Sequence, residues 1–282
     1  MGSWWVDRML DWLKNNNEGP FFIWGHYFHV HFLAEKELLF SGELDKDEHY
    51  HYAYYDAKIK YMDEKLFQPL IKLLKDLEIW EDTTIIITSD HGETLGTDDP
   101  TWKTYFFDYP QHKTMYDDDL KIPLIIKNKN LDKQEIDHTV RAIDIVPTLL
   151  DLLDITCKEE FDGISLVPLF KGKQLPELTA YAEELFENRG PGALQAVRTP
   201  KYKLIRNITK NEEEFYDLKK DPREKNNLID RTDNSLSKRI KKFRNFLEEK
   251  YEVYKKDLDS SKKDKTSNEK QIIKNTLSNI DL

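Results

Sequence analysis

Six consecutive β-branched residues, Thr83 to Thr88, are the feature that most restricts what this chain can fold into. Side chains branched at Cβ favour the extended backbone, so the run predicts a buried strand. Asp90, His91 and Gly92 follow directly at its carboxyl end. In α/β proteins ligands bind at the carboxyl ends of the strands, so the sequence places an acid and an imidazole where a site is expected.

The rest of the first half alternates between helical and extended patterns. Apolar residues from Ile59 to Leu77 recur three or four positions apart, which predicts one helical face, and Pro69 is expected to kink or divide that helix. The alternation predicts an α/β fold with a largely parallel sheet flanked by helices. Its predicted helices are 1–16, 59–77 and 140–155, and its predicted strands are 19–28, 83–88 and 121–127.

The pattern changes after about residue 175. Segments 193–207 and 212–218 resemble antiparallel strands, with a turn at Thr199 and Pro200, and an amphipathic helix follows at 235–254. The last residues are polar, which predicts a disordered tail. The predicted organisation is an α/β domain over 1–174, a small α+β subdomain over 175–255 and a disordered segment over 256–282.

Composition excludes several classes of protein. The net charge is −10, from 53 acidic and 43 basic residues, which argues against a nucleic-acid-binding surface. No apolar run reaches the roughly 18 residues of a membrane span, and the amino terminus lacks a signal-peptide pattern, so a cytoplasmic protein is expected. Cys157 is the only cysteine, which excludes an intrachain disulfide and a thiolate metal cluster. No pattern indicates an oligomeric state.

Several residues in strand-end positions are candidates for chemistry. Asp90 and His91 can offer oxygen and nitrogen to a divalent cation, although such a pair can also be a capping aspartate beside a polar loop histidine. In "HYFHVHF", alternation along an extended segment would place His29 and His31 on the same side. His112 and Lys113 precede the next strand, where an imidazole can transfer a proton and a lysine can bind an anion, although either can be an ordinary surface residue.

Seven segments together resemble the sulfatase family of the alkaline phosphatase superfamily. They occur in the order and at the spacing typical of that family, and they cover residues 1 to about 230. The resemblance implies hydrolysis of sulfate esters, or in relatives of phosphate diesters or phosphonates. The segments are PFFIWGHYFHVHF, YDAKIKYMDEKL, DTTIIITSDHGETLG, HKTMYDDDLKIPLIIK, IDIVPTLLDLL, FDGISLVPLFKGK and EFYDLKKDPREKNNL.

The resemblance implies a role for each candidate. Asp90 and His91 match the second pair of metal ligands, and His31 matches the histidine that protonates the leaving group or orients the sulfate. His112 or Lys113 matches the basic residue that contacts the sulfate. The implied cofactor is one divalent cation, either calcium or manganese, zinc or magnesium, and an imidazole ligand shifts the preference toward manganese or zinc. The implied partner is a sulfate ester of a small molecule or a glycan.

This sequence also departs from the family. His29 and Val30 stand where relatives often have Asp and Pro. The early pair of metal-binding aspartates is absent, and so is the Cys or Ser followed by Pro and Arg two and four positions later. The chain therefore resembles the carboxyl-terminal portion of a sulfatase. Three explanations are open: a fragment of a longer enzyme, one part of a split enzyme, or a decayed relative retained for binding or structure. We favour the first, and we expect this chain alone to be inactive.

Overall fold

The computed structural model describes residues 3–32, 50–93, 114–185, 192–231 and 233–278. The chain forms two compact units that interleave along the sequence. The first unit comprises the described residues within 1–112, 118–135 and 152–155, and the second comprises those within 113–117, 136–151 and 156–282. The division into domains between residues 174 and 175 stays a prediction.

Short helices and one strand pair build the first unit. Helix α1 (Ser3–Asn15) has apolar side chains on one side, and its Leu13 is fully buried, as is Leu74 of helix α4 (Gln68–Asp76). The buried leucines hold the helical layer together because each removes an apolar side chain from water. The elements are α1 (Ser3–Asn15), α2 (His29–Phe32), α3 (Tyr50–Met62), α4 (Gln68–Asp76), β1 (Ile85–Thr88), the short helix α5 (Asp117–Leu120), whose first residue belongs to the second unit, and β2 (Leu124–Lys127).

The predicted effect of Pro69 is confirmed. Between α3 and α4 the helix passes through a π-helical turn, Asp63–Phe67, and Pro69 lies in the first turn of α4. Proline lacks an amide hydrogen, and its ring clashes with the carbonyl four residues earlier, here that of Lys65. The wider π turn relieves this clash without ending the helix.

The pairing of the two central strands differs from the prediction. Strands β1 and β2 are antiparallel, with Ile85 opposite Lys127 and Thr88 opposite Leu124. A parallel pair needs a long crossover connection, and the described residues between β1 and β2 contain only the four-residue helix α5. The expectation that these two strands run parallel is therefore wrong.

Segment 21–28, predicted as a strand, is extended but pairs with no strand among the described residues. Its side chains alternate: Phe21, Ile23 and Tyr27 are partly buried, whereas Phe22 and Trp24 are 76% and 81% exposed. The apolar face packs on α1, where Phe21 meets the Trp12 ring edge-on at 6.4 Å. The sequence pattern predicted the extended backbone, because backbone conformation depends on local residues. It did not predict that the segment lacks a hydrogen-bonded partner strand, because pairing depends on residues elsewhere in the chain.

The second unit is an antiparallel sheet covered by one helix, as predicted for the α+β region. Its strands pair in sequence order, β3 (Ala180–Glu184), β4 (Leu194–Arg198), β5 (Tyr202–Asn207) and β6 (Glu212–Asp217). The amide of Thr199 donates to the carbonyl of Tyr202 and closes the predicted turn. Before the sheet lie a 3₁₀ turn (Ala142–Asp144) and the helices α6 (Ile145–Leu152) and α7 (Val167–Phe170).

Helix α8 (Asn234–Ser278) packs Ile240, Phe243 and Leu247 against the buried side chains of the sheet. The structure continues this helix to Ser278, and residues 279–282 lie outside the described residues; the disorder expected for the tail stays a prediction. No glycine or proline follows Pro222, and lysine and glutamate favour helix. Within the described ranges, no helix has both the length and the apolar character of a membrane span.

A buried ion cluster lies in the second unit. Lys203 on β5 is fully buried, with its Nζ 2.9 Å from an oxygen of Asp117 and 2.8 Å from an oxygen of Glu224. Arg198 binds Asp117 through both carboxylate oxygens. Burial alone would raise the pKa of Asp117, but the Arg198 hydrogen bonds and the Lys203 charge lower it to about 2. Burial raises the pKa of Glu224, and the Lys203 charge opposes that shift.

Candidate functional site

A tight turn after β1 carries the predicted metal ligands. The amide of Gly92 donates to the carbonyl of Asp119 at 2.7 Å, and a Cβ on Gly92 would lie 2.0 Å from the carbonyl oxygen of Asp118. No side chain fits at that distance, so only glycine allows the two backbones to approach. This contact holds Asp90 and His91 at the end of the strand, where the sequence placed them.

The carboxylate of Asp90 faces two imidazoles. Its Oδ1 accepts a hydrogen bond from the backbone N–H of His91 at 3.1 Å. Its Oδ2 lies 3.7 Å from Nε2 of His91 and 3.8 Å from Nε2 of His26. In the neutral ring, Nδ1 of His91 donates to the Gly92 carbonyl at 2.6 Å, which leaves Nε2 as the acceptor nitrogen. Asp90 and His91 thus direct an oxygen and a nitrogen lone pair toward the same space.

This donor pair fits part of a site for a divalent cation. A carboxylate oxygen with an imidazole nitrogen suits zinc or manganese. In a metal-binding histidine, the ring nitrogen that does not bind the metal usually donates a hydrogen bond, often to a backbone carbonyl. Across the described part of the chain, no group of three or more histidine, cysteine, aspartate or glutamate side chains has the geometry to hold an ion. Asp90 and His91 would therefore supply only a share of the ligands that such a cation needs.

His31 is close enough to interact electrostatically with the Asp90 turn, but its backbone differs from the prediction. Residues 29–32 form a helical turn, so His29 and His31 point in different directions, and the extended alternation expected for them is wrong. The pKa of His31 is lowered, first by burial and then by the charges of His91 and Lys58, while Asp90 opposes the shift. The ring of His29 instead stacks on Tyr61 at 6.1 Å.

Sequence reasoning missed two charged residues beside the turn, the buried Lys58 and the partly buried Glu93. Lys58 on α3 is only 7% exposed. Burial raises the pKa of Glu93, the residue after Gly92, to about 7, although the charges of Lys58 and His91 oppose the shift. Burial also lowers the pKa of Lys58, and Glu93 opposes that change. The only sequence signal for this pair is the position of Lys58 next to the apolar stripe that begins at Ile59.

His26 is a third residue that the predicted site did not include. Its ring lies between Trp24, stacked at 6.2 Å, and Phe28 at 4.4 Å, and it faces Asp90. The histidine-rich motif contained this signal, but only the fold brings segment 21–28 beside the β1 turn. His112 and Lys113 lie outside the described residues, so their predicted contact with the sulfate stays a prediction.

The chain matches two protein-family descriptions. Residues 4–155 match the family described as Sulfatase, and residues 104–253 match the one described as N-sulphoglucosamine sulphohydrolase, C-terminal. A delta 4,5-hexuronate-2-O-sulfatase of Bacteroides thetaiotaomicron is 29% identical over 204 residues, which cover 69% of this chain and 40% of that protein. The chain thus spans about 40% or less of the length of the first curated relatives it matches.

Solved structures agree with the family matches and confirm the alkaline-phosphatase-like α/β fold class. The structure of BT4656 in complex with its substrate D-glucosamine-2-N,6-O-disulfate has a TM-score of 0.57 and 27% identity, covering 77% of this chain and 44% of that one. The phosphonate monoester hydrolase of Agrobacterium radiobacter has a TM-score of 0.57 and 25% identity, covering 70% and 40%. The turn after β1 and these matches together show that the chain belongs to the sulfatase family.

Proposed function

We propose that this chain forms the part of a metal-dependent sulfate ester hydrolase that contains Asp90, His91 and His31. The observation that carries the proposal is the Asp90 carboxylate, which a glycine-dependent turn holds beside two imidazoles at the end of β1. Membership of the sulfatase family gives that arrangement its interpretation. A carboxylate and an imidazole together match the ligand types that borderline divalent cations prefer.

The roles of the residues follow from their chemistry. Asp90 and His91 would hold a divalent cation, which neutralises negative charge on the group being transferred. His31 would donate a proton to the oxygen of the leaving group, and His112 or Lys113 would bind the sulfate. None of the 282 residues supplies the nucleophile pattern of the family. We therefore propose that the nucleophile comes from further polypeptide, either in the same protein or in a second chain.

A sulfated sugar is the substrate class that the relatives support best. One relative is named for a sulfate on a hexuronate, and one similar structure contains D-glucosamine-2-N,6-O-disulfate. Because substrate choice in a family depends on loops, we propose the class of a sulfated sugar rather than one compound. A phosphonate monoester is the second candidate, since the Agrobacterium radiobacter hydrolase is as similar in fold as the sugar-bound protein.

The proposal is tested on the protein produced from its own gene in the organism that encodes it. We would tag the gene at its carboxyl end, so that any preceding segment is retained, and assay the purified protein on 4-nitrophenyl sulfate and on a 4-nitrophenyl phosphonate ester. The proposal predicts sulfate release that a chelator abolishes, that added manganese, zinc or calcium restores, and that Asp90→Ala eliminates. Faster turnover of the phosphonate would favour the second candidate. Sulfatase activity that is unaffected by Asp90→Ala would refute the assigned role.

A further inference from the structure

Several exposed cations on the second unit form no ion pair with an acid among the described residues. The chain carries a net charge of −10, yet residues 230–244 contain six basic and two acidic side chains. Other cations of this unit are paired, for example Arg206 with Glu248 and Arg244 with Glu213, each at 2.6 Å. Within the described residues, no carboxylate lies within ion-pair distance of four exposed basic side chains, namely Lys201, Lys238, Arg239 and Lys242. Asp217, opposite Tyr202 on β6, attracts Lys201 electrostatically without forming an ion pair.

The ring of Tyr202 brings two of these cations together. The Nζ of Lys201 lies 4.8 Å from the ring centroid, and the Cζ of Arg239 lies 4.6 Å from it. Phe215 stacks on the same ring at 5.5 Å with an interplanar angle of 18°. The partly buried ring therefore packs against the core while it attracts both cations through its π electrons. The turn before β5 and helix α8 thus present two positive charges at the same aromatic side chain.

Two further lysines extend the charge along α8. Lys242 lies three residues after Arg239, and Lys238 lies four residues before Lys242, so these side chains share one flank of the helix. Like charges at this spacing repel each other, and no described acid neutralises them. The four residues Lys201, Lys238, Arg239 and Lys242 are named the Tyr202 patch. Its unbalanced charge is the feature that a bound anion would compensate.

We propose that the Tyr202 patch binds the anionic groups of a sulfated oligosaccharide, as an anchoring site separate in sequence from the Asp90 turn. The guanidinium of Arg239 suits bidentate binding of a sulfate or carboxylate, and the lysines add point charges for a neighbouring group. The choice of a sulfated sugar, rather than another polyanion, rests on the proposed function. The existence of the site rests on the geometry at Tyr202.

Titration calorimetry on the full 282-residue chain tests the site directly. The probes are a heparin-derived hexasaccharide and the same hexasaccharide after desulfation, both at physiological salt. We expect the sulfated probe to bind, and the double variant K201Q/R239Q to lose at least about tenfold in affinity. The matched control K210Q/K250Q removes the same charge from other exposed positions, Lys250 being 11 residues and therefore about 16 Å along α8 from Arg239. The control is expected to stay within about twofold of wild type.

Several results would overturn the proposal. Equal losses in both double variants would show that only net charge matters, and equal binding of the desulfated probe would exclude recognition of sulfate. Tighter binding of a single-stranded DNA of the same charge would assign the patch to a nucleic acid instead. Thermal unfolding of each variant checks that it folds. The calorimetry measures binding and not turnover. If the chain binds the sulfated probe but the protein has no sulfatase activity, the proposed function is refuted and the anchoring site is not.

Discussion

Replacing Lys203 by methionine should destabilise the second unit by about 3–5 kcal/mol at pH 7. Methionine keeps a long apolar stem in the same space, so the change removes the ammonium group with little loss of packing. The change deprives the buried carboxylate of Glu224 of the cation that lies 2.8 Å away. Removing one partner of a buried pair costs more than the pair contributed, because the remaining charge stays out of water.

The size of the expected loss in stability depends on which stabilising interactions Asp117 and Glu224 keep in the variant. The pKa of Asp117 falls from 3.8 to about 2, which corresponds to ~2.5 kcal/mol of stabilisation of its charged form. Part of this remains in the variant because Arg198 still binds Asp117. Among the described residues Glu224 forms an ion pair only with Lys203; Arg198 attracts it electrostatically without an ion pair, and burial already raises the pKa of Glu224. Most of the loss therefore arises at Glu224.

The pH dependence of the loss has a definite sign. A carboxyl group whose folded pKa is raised loses stability as pH increases from its unfolded pKa, 4.5, toward the folded value. Removal of Lys203 raises the Glu224 pKa further, so the variant should be weakened more at pH 7 than at pH 5, by about 1–2 kcal/mol. Adding Glu224→Gln to the variant should restore part of the stability by removing the buried charge.

The free energy of unfolding would be measured by urea unfolding followed by far-UV circular dichroism, because the second unit contains the four-stranded sheet and helix α8. None of the six tryptophans lies in that unit, so their fluorescence reports on the first unit separately. The control Lys210→Met, at an exposed position, should change the unfolding free energy by less than about 0.5 kcal/mol. A Lys203→Met protein as stable as this control at pH 7, or no recovery with Glu224→Gln, would refute the reasoning.

The remaining predictions concern the site. Gly92→Ala should cost roughly 1–3 kcal/mol and weaken metal binding, because its Cβ meets the Asp118 carbonyl; unchanged metal affinity would contradict this. If His31 is the general acid, the rate should fall as pH rises through its pKa, which is below 6.5, and His31→Ala should remove that limb of the pH–rate profile. The purified 282-residue chain alone should not hydrolyse a chromogenic aryl sulfate with any added divalent cation, and sustained turnover lost in Asp90→Ala would show this to be wrong.

The features that depend on residues adjacent in the sequence were predictable from the sequence. The β-branched run indicated β1, and the placement of Asp90 and His91 at its end followed from their order in the chain. Pro69 indicated the interruption between α3 and α4 because its effect is steric and local. The turn at Thr199 likewise separated β4 from β5 as expected.

The features that depend on distant contacts were not predictable. The antiparallel direction of β1 and β2 depends on how the chain returns between them, which no local pattern encodes. His26 reaches Asp90 only through the packing of segment 21–28 beside the β1 turn. Lys203 alternates with apolar residues on β5, and its burial is possible only because Asp117 and Glu224 come from elsewhere in the chain.

Metal binding at Asp90 tests the central claim most directly. Chelator-treated chain would be titrated with manganese, and free and bound ion would be measured by electron paramagnetic resonance for wild type, Asp90→Asn and His91→Ala. Asp82→Asn serves as the control, because that exposed carboxylate near β1 pairs with Lys129. We predict that both site variants lose at least about 10- to 100-fold in affinity while the control is unchanged. Equal affinity in Asp90→Asn and wild type would contradict the assignment of this turn as the metal site.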